Sequence, residues 1–325
     1  MFKTFARIAL ISLSLFFLLI AALVILLQTS MGGSLVENRL RAWVHPALQV
    51  NGEVGITVLP RLGLDLRDIT IANQAGTHPA VSIRRVQWQA AWQPLFDRTL
   101  SLESLYIQGV DVFRSGPTRG LFMSEVSQAP LFNAGQWFDW FGRQQRVGET
   151  WRVIVRQALV EDIAVFSTDG DAQQLPLATI KQLEIMADAS WPKFANSQAS
   201  VRIRQLLVND ADAFGHTPAL LEQLGIASNG TWDVMAMDSQ WQLESRDLLR
   251  LIAFEATGAW GALLASDGTI ELETGQMAIP MRANLTNAPK FRSRALEINV
   301  RQSQMQFELS GTWNSPGVQW LNQRR

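Results

Sequence analysis

The chain has 325 residues with 28 basic and 29 acidic side chains, a formal net charge of −1, and no cysteine. The absence of cysteine excludes disulfide bonds, thiol catalysis and cysteine-based metal sites. A near-neutral chain also argues against a nucleic-acid partner, because phosphate recognition needs a stripe of basic residues.

The first predicted element is a transmembrane helix at residues 8–27, a segment without charge that is rich in Leu, Ile, Phe, Val and Ala. Twenty residues at helical rise span about 30 Å, the thickness of a bilayer's hydrocarbon core. Lys3 and Arg7 precede the segment and the next charge is Glu37, which predicts a cytoplasmic tail at residues 1–7 and a translocated body at 28–325.

Two other interpretations of residues 8–27 are a cleaved signal peptide and a buried core helix. The apolar run is longer than a usual signal core, and residues 28–33 contain no convincing small-x-small cleavage site. A core helix would carry a polar face, which this segment lacks. The sequence therefore favours an uncleaved anchor.

The body begins with a predicted short helix at 34–44, where Ser34 and Glu37 form a capping box. Beyond it the apolar residues alternate with polar ones, as in an antiparallel sheet with one face covered. The predicted strands are 84–92, 102–113, 151–166, 198–208, 231–243, 269–285 and 296–309.

Helical patterns interrupt the strands at 132–145, 218–224 and 245–256. Regions 130–150 and 210–250 are accordingly candidate points of subdivision. Asp267-Gly268 predicts a hairpin turn. Pro280 predicts that its strand lies at an edge or contains a bulge, because proline cannot donate a hydrogen bond to a neighbouring strand.

Three segments share a short pattern: Leu-Arg-Asp-Ile-Thr-Ile at 66–71, Ile-Gln-Gly-Val-Asp-Val at 107–112 and Val-Glu-Asp-Ile-Ala-Val at 160–165. In each, strict alternation slips by one residue at the central Asp or Gly. A β-bulge or tight bend at that residue would restore a common apolar face. The alternative is chance similarity among short strands.

The sequence contains no credible catalytic or metal-binding set. His45, His78 and His216 each lie within two residues of a proline and form no metal-ligand spacing. Phosphate-binding loops, nucleophile elbows and complete calcium loops are also missing. We therefore expect neither an enzyme nor a cofactor-binding protein.

Residues 51–73 resemble the beginning of the AsmA family of bacterial envelope proteins, in which a membrane helix precedes a glycine-containing strand and a P-x-L-G-L-x-L-x-D-V-x-L-x-N stretch. Residues 81–112 are similar to the family's next segment, except that Asp97 replaces a usual glycine. The ending at 307–316 is similar to an l-x-G-T-x-x-x-P pattern common there. The chain is much shorter than the best-known members.

The resemblance implies a mainly β protein with a few short helices: a transmembrane helix followed by an elongated, curled antiparallel β-sheet that forms an apolar groove. It implies an inner-membrane location, a periplasmic body, and a role in phospholipid handling or outer-membrane assembly. Phospholipid and an envelope protein are the implied partners. The groove candidates are Ile69, Ile71, Val110, Val112, Ile163, Val165, Leu296, Ile298, Met305 and Phe307.

Two other functional hypotheses remain at this stage. A short, singly anchored β protein also resembles the protein N component of type II secretion systems, which would make it a scaffold or secretion accessory. In that case its apolar face would be a closed core filled by side chains. An enzyme is the least favoured hypothesis because no nucleophile, base and metal set is present.

Overall fold

A computed structural model describes residues 47–58, 60–72, 79–114, 151–167, 175–191, 197–209, 232–245, 248–272, 274–285, 305–312 and 315–321. Within these ranges the chain forms one sheet and one short helix, α1 (Gln93–Phe96). The strands are β1 (Leu48–Val50), β2 (Val54–Thr57), β3 (Leu62–Ile71), β4 (Val81–Ala90), β5 (Thr99–Arg114), β6 (Trp151–Ser167), β7 (Ala178–Trp191), β8 (Ser197–Val208), β9 (Trp232–Leu243), β10 (Leu248–Gly258), β11 (Gly261–Glu271), β12 (Gln276–Leu285), β13 (Met305–Thr312) and β14 (Ser315–Trp320).

The sheet follows the chain, so that from β3 to β14 each strand lies beside the next one in sequence. At one edge β1 and β2 pair with opposite halves of β3, and β14 forms the other edge. Every pair is antiparallel except β5 and β6, which run in parallel. The prediction of a mainly β protein with one elongated, curled antiparallel sheet is confirmed, with this parallel pair as the exception; the sheet is open.

The predicted helix at 245–256 is wrong, because this segment forms β10. The register of β10 against β9 shifts between Leu251 and Ala253, which leaves Ile252 as an extra residue. This bulge separates Leu251 from the next inward apolar residue, Phe254, by three positions. A spacing of three next to spacings of two imitates the apolar stripe of a helix.

The predicted hairpin turn at Asp267-Gly268 is also wrong, because both residues lie inside β11. Asp267 has a φ of 64°, the left-handed conformation that Asp also adopts in turns. Here it belongs to a bulge, since the register between β11 and β12 shifts between Ala265 and Thr269. Pro280 lies opposite this shift, so its strand meets a bulge, although the extra residue belongs to β11 and β12 itself pairs regularly with β13.

The segment 269–285, predicted as one strand, is divided by a turn into the end of β11 and all of β12. Strand β7 has no counterpart among the predicted strands. The predicted anchor at 8–27, the helices at 34–44, 132–145 and 218–224, and residues 296–304 lie outside the described ranges. In the part of the chain that the structure describes, no helix has the length and apolar character needed to span a membrane.

Candidate functional site: the apolar face of the sheet

Cross-strand register aligns the apolar residues of the sheet into continuous rows on one side, which we call the apolar face. The longest row made only of apolar side chains crosses twelve strands, from β2 to β13. Its members, each paired with the next, are Val54, Leu66, Val86, Ile107, Val160, Leu183, Ile203, Met237, Ala256, Leu263, Ala283 and Met305. At about 4.8 Å between strands, this row is about 50 Å long.

Burial changes along this row. Leu66 is buried at its beginning, and Ala256, Leu263, Ala283 and Met305 are buried at its end. Between them, the side chains contributed by β4 to β9 are only partly buried. The centre of the apolar face therefore keeps contact with solvent, and its two ends are packed.

The C-terminal end of the face contains the larger buried cluster, with Phe307 and Val234 at 0% exposure. Tryptophans 232, 241 and 260 pack around it. The smaller cluster surrounds Leu66, Ile69 and Ile71 at the N-terminal end. In both places the apolar face is filled by the protein's own side chains.

The structure places the described groove candidates in registered rows of the apolar face. Ile69, Val110 and Ile163 belong to one row, and Ile71, Val112 and Val165 to the next. Met305 and Phe307 lie on the same face in β13. The four at the ends (Ile69, Ile71, Met305, Phe307) are buried, whereas the four in β5 and β6 are half-buried. Leu296 and Ile298 lie outside the described residues.

A transverse line of left-handed residues, here called the seam, keeps the apolar face continuous. Asp68, Gly109 and Asp162 have φ values of 51°, 65° and 55°, at the positions where the sequence predicted a bulge or bend. Gln205 in β8 continues the line with a φ of 52°. At each of these residues, successive apolar side chains are three positions apart instead of two. The apolar side chains before and after the seam therefore point to the same face of the sheet.

Only part of the seam could be found from the sequence. The repeat marked its residues in β3, β5 and β6, where Asp or Gly tolerates a left-handed backbone. Gln205 was missed, because Gln carries no such signal. The apolar spacing around it, from Ile203 to Leu206, was the sign available.

The opposite face of the sheet is polar and is held by charge pairs between neighbouring strands. Arg85 donates from Nε and a terminal nitrogen to both carboxylate oxygens of Asp65, at 2.9 and 2.6 Å. This hydrogen-bonded guanidinium lowers the pKa of Asp65. Arg204 makes the same forked contact with Asp238, at 2.9 and 3.1 Å. Exposed pairs of this kind contribute little to stability but mark the wet face.

Tyr106, the only tyrosine of the chain, connects β5 to β6 on the polar face. Its hydroxyl donates to Oε2 of Glu161 at 2.7 Å. This hydrogen bond, together with burial and the charge of Glu161, raises the pKa of Tyr106 above its ordinary value of 10. The side chain therefore stays a neutral donor and adds one side-chain hydrogen bond between β5 and its parallel neighbour.

A cleft of about 730 Å³ crosses β8 to β13, with Arg202, Asp238, Glu255 and Arg282 among its lining residues. Its lining contains arginines, carboxylates and three serines, but no histidine or lysine. Among the described residues, no group of His, Asp and Glu could hold a metal ion. The surface best suited to bind a ligand is instead the partly buried centre of the apolar face.

A model of the AsmA family matches residues 2–113, a stretch that covers the predicted anchor and the described strands β1 to β4 and nearly all of β5. It leaves the strands from β6 onward unmatched. No curated protein and no solved structure gives a significant match to the chain.

Proposed function

We propose that this protein is a non-enzymatic component of the bacterial envelope that holds the acyl chains of phospholipids against the apolar face of its sheet. Residues 8–27 anchor it in the inner membrane, and the sheet extends into the periplasm. The AsmA match over residues 2–113 supports a role in the envelope. The single observation that carries the lipid proposal is the twelve-strand apolar row, whose centre is only partly buried.

The physical argument concerns what the centre of the face can contact. Large side chains such as Leu183 and Ile203 are partly exposed there, in adjacent strands and in register. A continuous apolar surface of this extent is costly in water, because each square ångström left exposed forgoes about 25 cal/mol of burial. Acyl chains are apolar, flexible and able to lie along such rows without a fixed register.

The polar face supports the same assignment. Its charge pairs, such as Arg85 with Asp65 and Arg204 with Asp238, keep that side of the sheet hydrated. A strand buried on both faces would be apolar on both. A lipid would therefore bind only the apolar face, and its headgroup would be directed toward water at the strand ends.

The second candidate function is a scaffold or secretion accessory of the protein N type, in which side chains fill the apolar face. The packed cluster around Phe307 and Val234 favours this for the C-terminal third of the sheet. It does not account for the partly buried residues of β4 to β9. The two functions make different predictions for what touches those residues in the cell.

Site-specific photo-crosslinking of the full chain in cells tests the proposal. A benzoylphenylalanine replaces Leu183 on the apolar face of β7, and a second variant carries it at Gln182, the adjacent residue on the polar face. Mass spectrometry after irradiation should find a phospholipid adduct at Leu183 and none at Gln182. The lipid proposal is wrong if Leu183 gives no lipid adduct or if both positions give equal amounts. A protein adduct at Leu183 in place of lipid would favour the scaffold.

A further inference from the structure

Two exposed aromatic side chains lie in the connection from β4 to β5, which contains the short helix α1. Phe96 is 86% exposed and Trp92 is 37% exposed, and four positions separate them. Among the aromatic side chains that the structure describes, they are the only exposed ones. A single exposed apolar residue is ordinary on a protein surface. Two aromatic residues on one short turn instead form an apolar spot that the described residues leave uncovered.

Hydrogen bonds and a proline hold this connection in one conformation. Asp97 donates its backbone N–H to the carbonyl of Pro94 at 3.0 Å, which closes the turn of α1. Proline also fixes its own backbone φ angle. Trp92 donates from Nε1 to the carbonyl of Val58 at 2.6 Å, so its ring is fixed to the end of β2. The turn that carries Phe96 is therefore ordered before anything binds to it, which lowers the entropy cost of binding.

The charged residues around α1 balance one another. Arg61 pairs with Glu103, with 2.6 Å between a guanidinium nitrogen and a carboxylate oxygen. Asp97 and Arg98 follow Phe96 directly and are both exposed. Two basic and two acidic residues leave this end of the strands without a net charge. A charged partner would therefore gain little electrostatic attraction here, and the exposed rings are the feature that a partner can recognise.

Helix α1 lies within reach of the membrane that holds the proposed anchor at residues 8–27, and to this extent the inference rests on the proposed function. The 19 residues from 28 to 46 can span at most about 65 Å. Strand β1 begins beside Ile71, at the strand end opposite to α1. The ten residues of β3 separate these two ends by about 33 Å. The chain is therefore long enough for α1 to meet the membrane surface, and the tether raises the local concentration of one at the other.

A phospholipid bilayer is the partner that fits an uncharged, exposed aromatic turn. Tryptophan is enriched at the boundary between lipid and water, and phenylalanine inserts its ring there from surface-bound helices. Burying one fully exposed phenylalanine strengthens such binding by about tenfold or more. Two rings alone give only weak binding, but a tethered protein needs no stronger contact.

We propose that α1 docks on the surface of the membrane that anchors the chain, with Phe96 inserted into the bilayer interface and Trp92 beside it. The ends of β2 to β5 near α1 then face the lipid. The sheet is thereby held at two places, by the anchor and by α1, so that the apolar face of its first strands opens next to the bilayer.

Fluorescence quenching in proteoliposomes tests the docking with the full chain, which has no cysteine of its own. Gln93→Cys, at an exposed position of α1, carries a nitrobenzoxadiazole label, and the phosphatidylcholine vesicles contain nitroxide lipids. The control is the same label on Leu175→Cys, which is 81% exposed and precedes β7 at the opposite strand ends. The label at position 93 should be strongly quenched and the control weakly. Equal quenching at both positions, or none at position 93, would overturn the docking.

A second variant shows whether Phe96 supplies the contact. Phe96→Asp, added to the chain labelled at position 93, should weaken the docking equilibrium at least about tenfold, and the titration of Tyr106 should stay unchanged as a check on folding. Unchanged quenching in this variant, or quenching that disappears at high salt, would contradict insertion of the ring.

The outcomes separate this inference from the proposed function. Flotation of the labelled chain with the vesicles reports the anchor independently of α1. Quenching at position 93 without a lipid adduct at Leu183 would support the docking and contradict the lipid proposal. A lipid adduct at Leu183 without quenching at position 93 would contradict the docking alone.

Discussion

Asp162 in β6 lies in register beside Gly109 in β5, and the two residues have nearly the same left-handed backbone, with φ values of 55° and 65°. Their neighbours Val110 and Ile163 pair directly, as do Ile107 and Val160 on the other side. The slip in alternation thus occurs in both strands at the same height. Because it is shared, the apolar face is not interrupted where the strands change phase.

The seam gives the first prediction. Gly109→Ala should lower the free energy of unfolding by about 1–2 kcal/mol, because a left-handed φ is unfavourable for a residue with a Cβ. That Cβ would also lie 3.0 Å from the Cβ of Arg84. At Asp68, the change to Gly should stay within about 0.5 kcal/mol of the native protein, whereas Val should cost about 2 kcal/mol. Urea unfolding of the full chain, followed by tryptophan fluorescence, measures all three. Equal stabilities for the Gly and Val variants would argue against the seam.

Packing gives the second prediction, which compares the end of the apolar face with its centre. Phe307→Ala should cost about 3–5 kcal/mol, because the side chain is fully buried and its removal leaves a cavity. Ile163→Ala should cost about 1–2 kcal/mol, because a half-buried side chain loses only part of its transfer free energy. Unfolding of the two variants under the same conditions gives the comparison. Similar losses would mean that the centre of the face is as tightly packed as its end.

Tyr106 gives the third prediction, and being the only tyrosine it can be titrated without interference from another. The absorbance of tyrosinate should rise with a pKa above 10 in the folded protein, because the hydroxyl donates to Glu161. Glu161→Gln should bring the pKa down toward 10, since the carboxylate charge is lost. Urea-unfolded protein provides the reference. A folded pKa that does not respond to this substitution would show that the hydrogen bond is absent.

The pair of Asp65 and Arg85 gives the fourth prediction, concerning acid stability. The folded pKa of Asp65 is lowered below its ordinary value, first by the hydrogen bond from Arg85. Its stabilising contribution is therefore complete above the unfolded pKa of 3.8 and disappears as the pH falls through the folded pKa. Asp65→Asn should flatten the dependence of the unfolding free energy on pH below about 4.

The matched control for this pair is Arg85→Gln. Without the guanidinium, the carboxyl of Asp65 should titrate nearer to its ordinary range, and the acid dependence should flatten in the same way. The double variant should then behave like either single variant, because the two residues act together. Additive changes in the double variant would indicate that Asp65 titrates under another influence.

Three residues show how far sequence patterns reach in this fold. Asp68, Gly109 and Asp162 were found because each interrupts an alternation that is otherwise regular, and because Asp and Gly tolerate the left-handed backbone. Ile252 and Asp267 create similar interruptions in β10 and β11 but were interpreted as parts of a helix and a turn. The local pattern is the same in all five cases. What differs is the register with the neighbouring strands, and the sequence of a single segment carries no information about that register.

The burial of individual candidates was likewise beyond the sequence. Ile69 and Ile163 belong to one registered row, yet the first is buried and the second is only partly buried. Their own positions in the strand are equivalent, so the difference comes from what surrounds them.

The sequence by itself determined that the body is a sheet with one apolar and one polar face, since side-chain direction alternates within each strand and depends only on nearby residues. It also determined where three strands change phase. Only the tertiary structure decided which rows align, that β5 and β6 run in parallel, and where the face is packed or open. These properties depend on contacts between residues far apart in the chain, and such contacts also determine how deeply each side chain is buried.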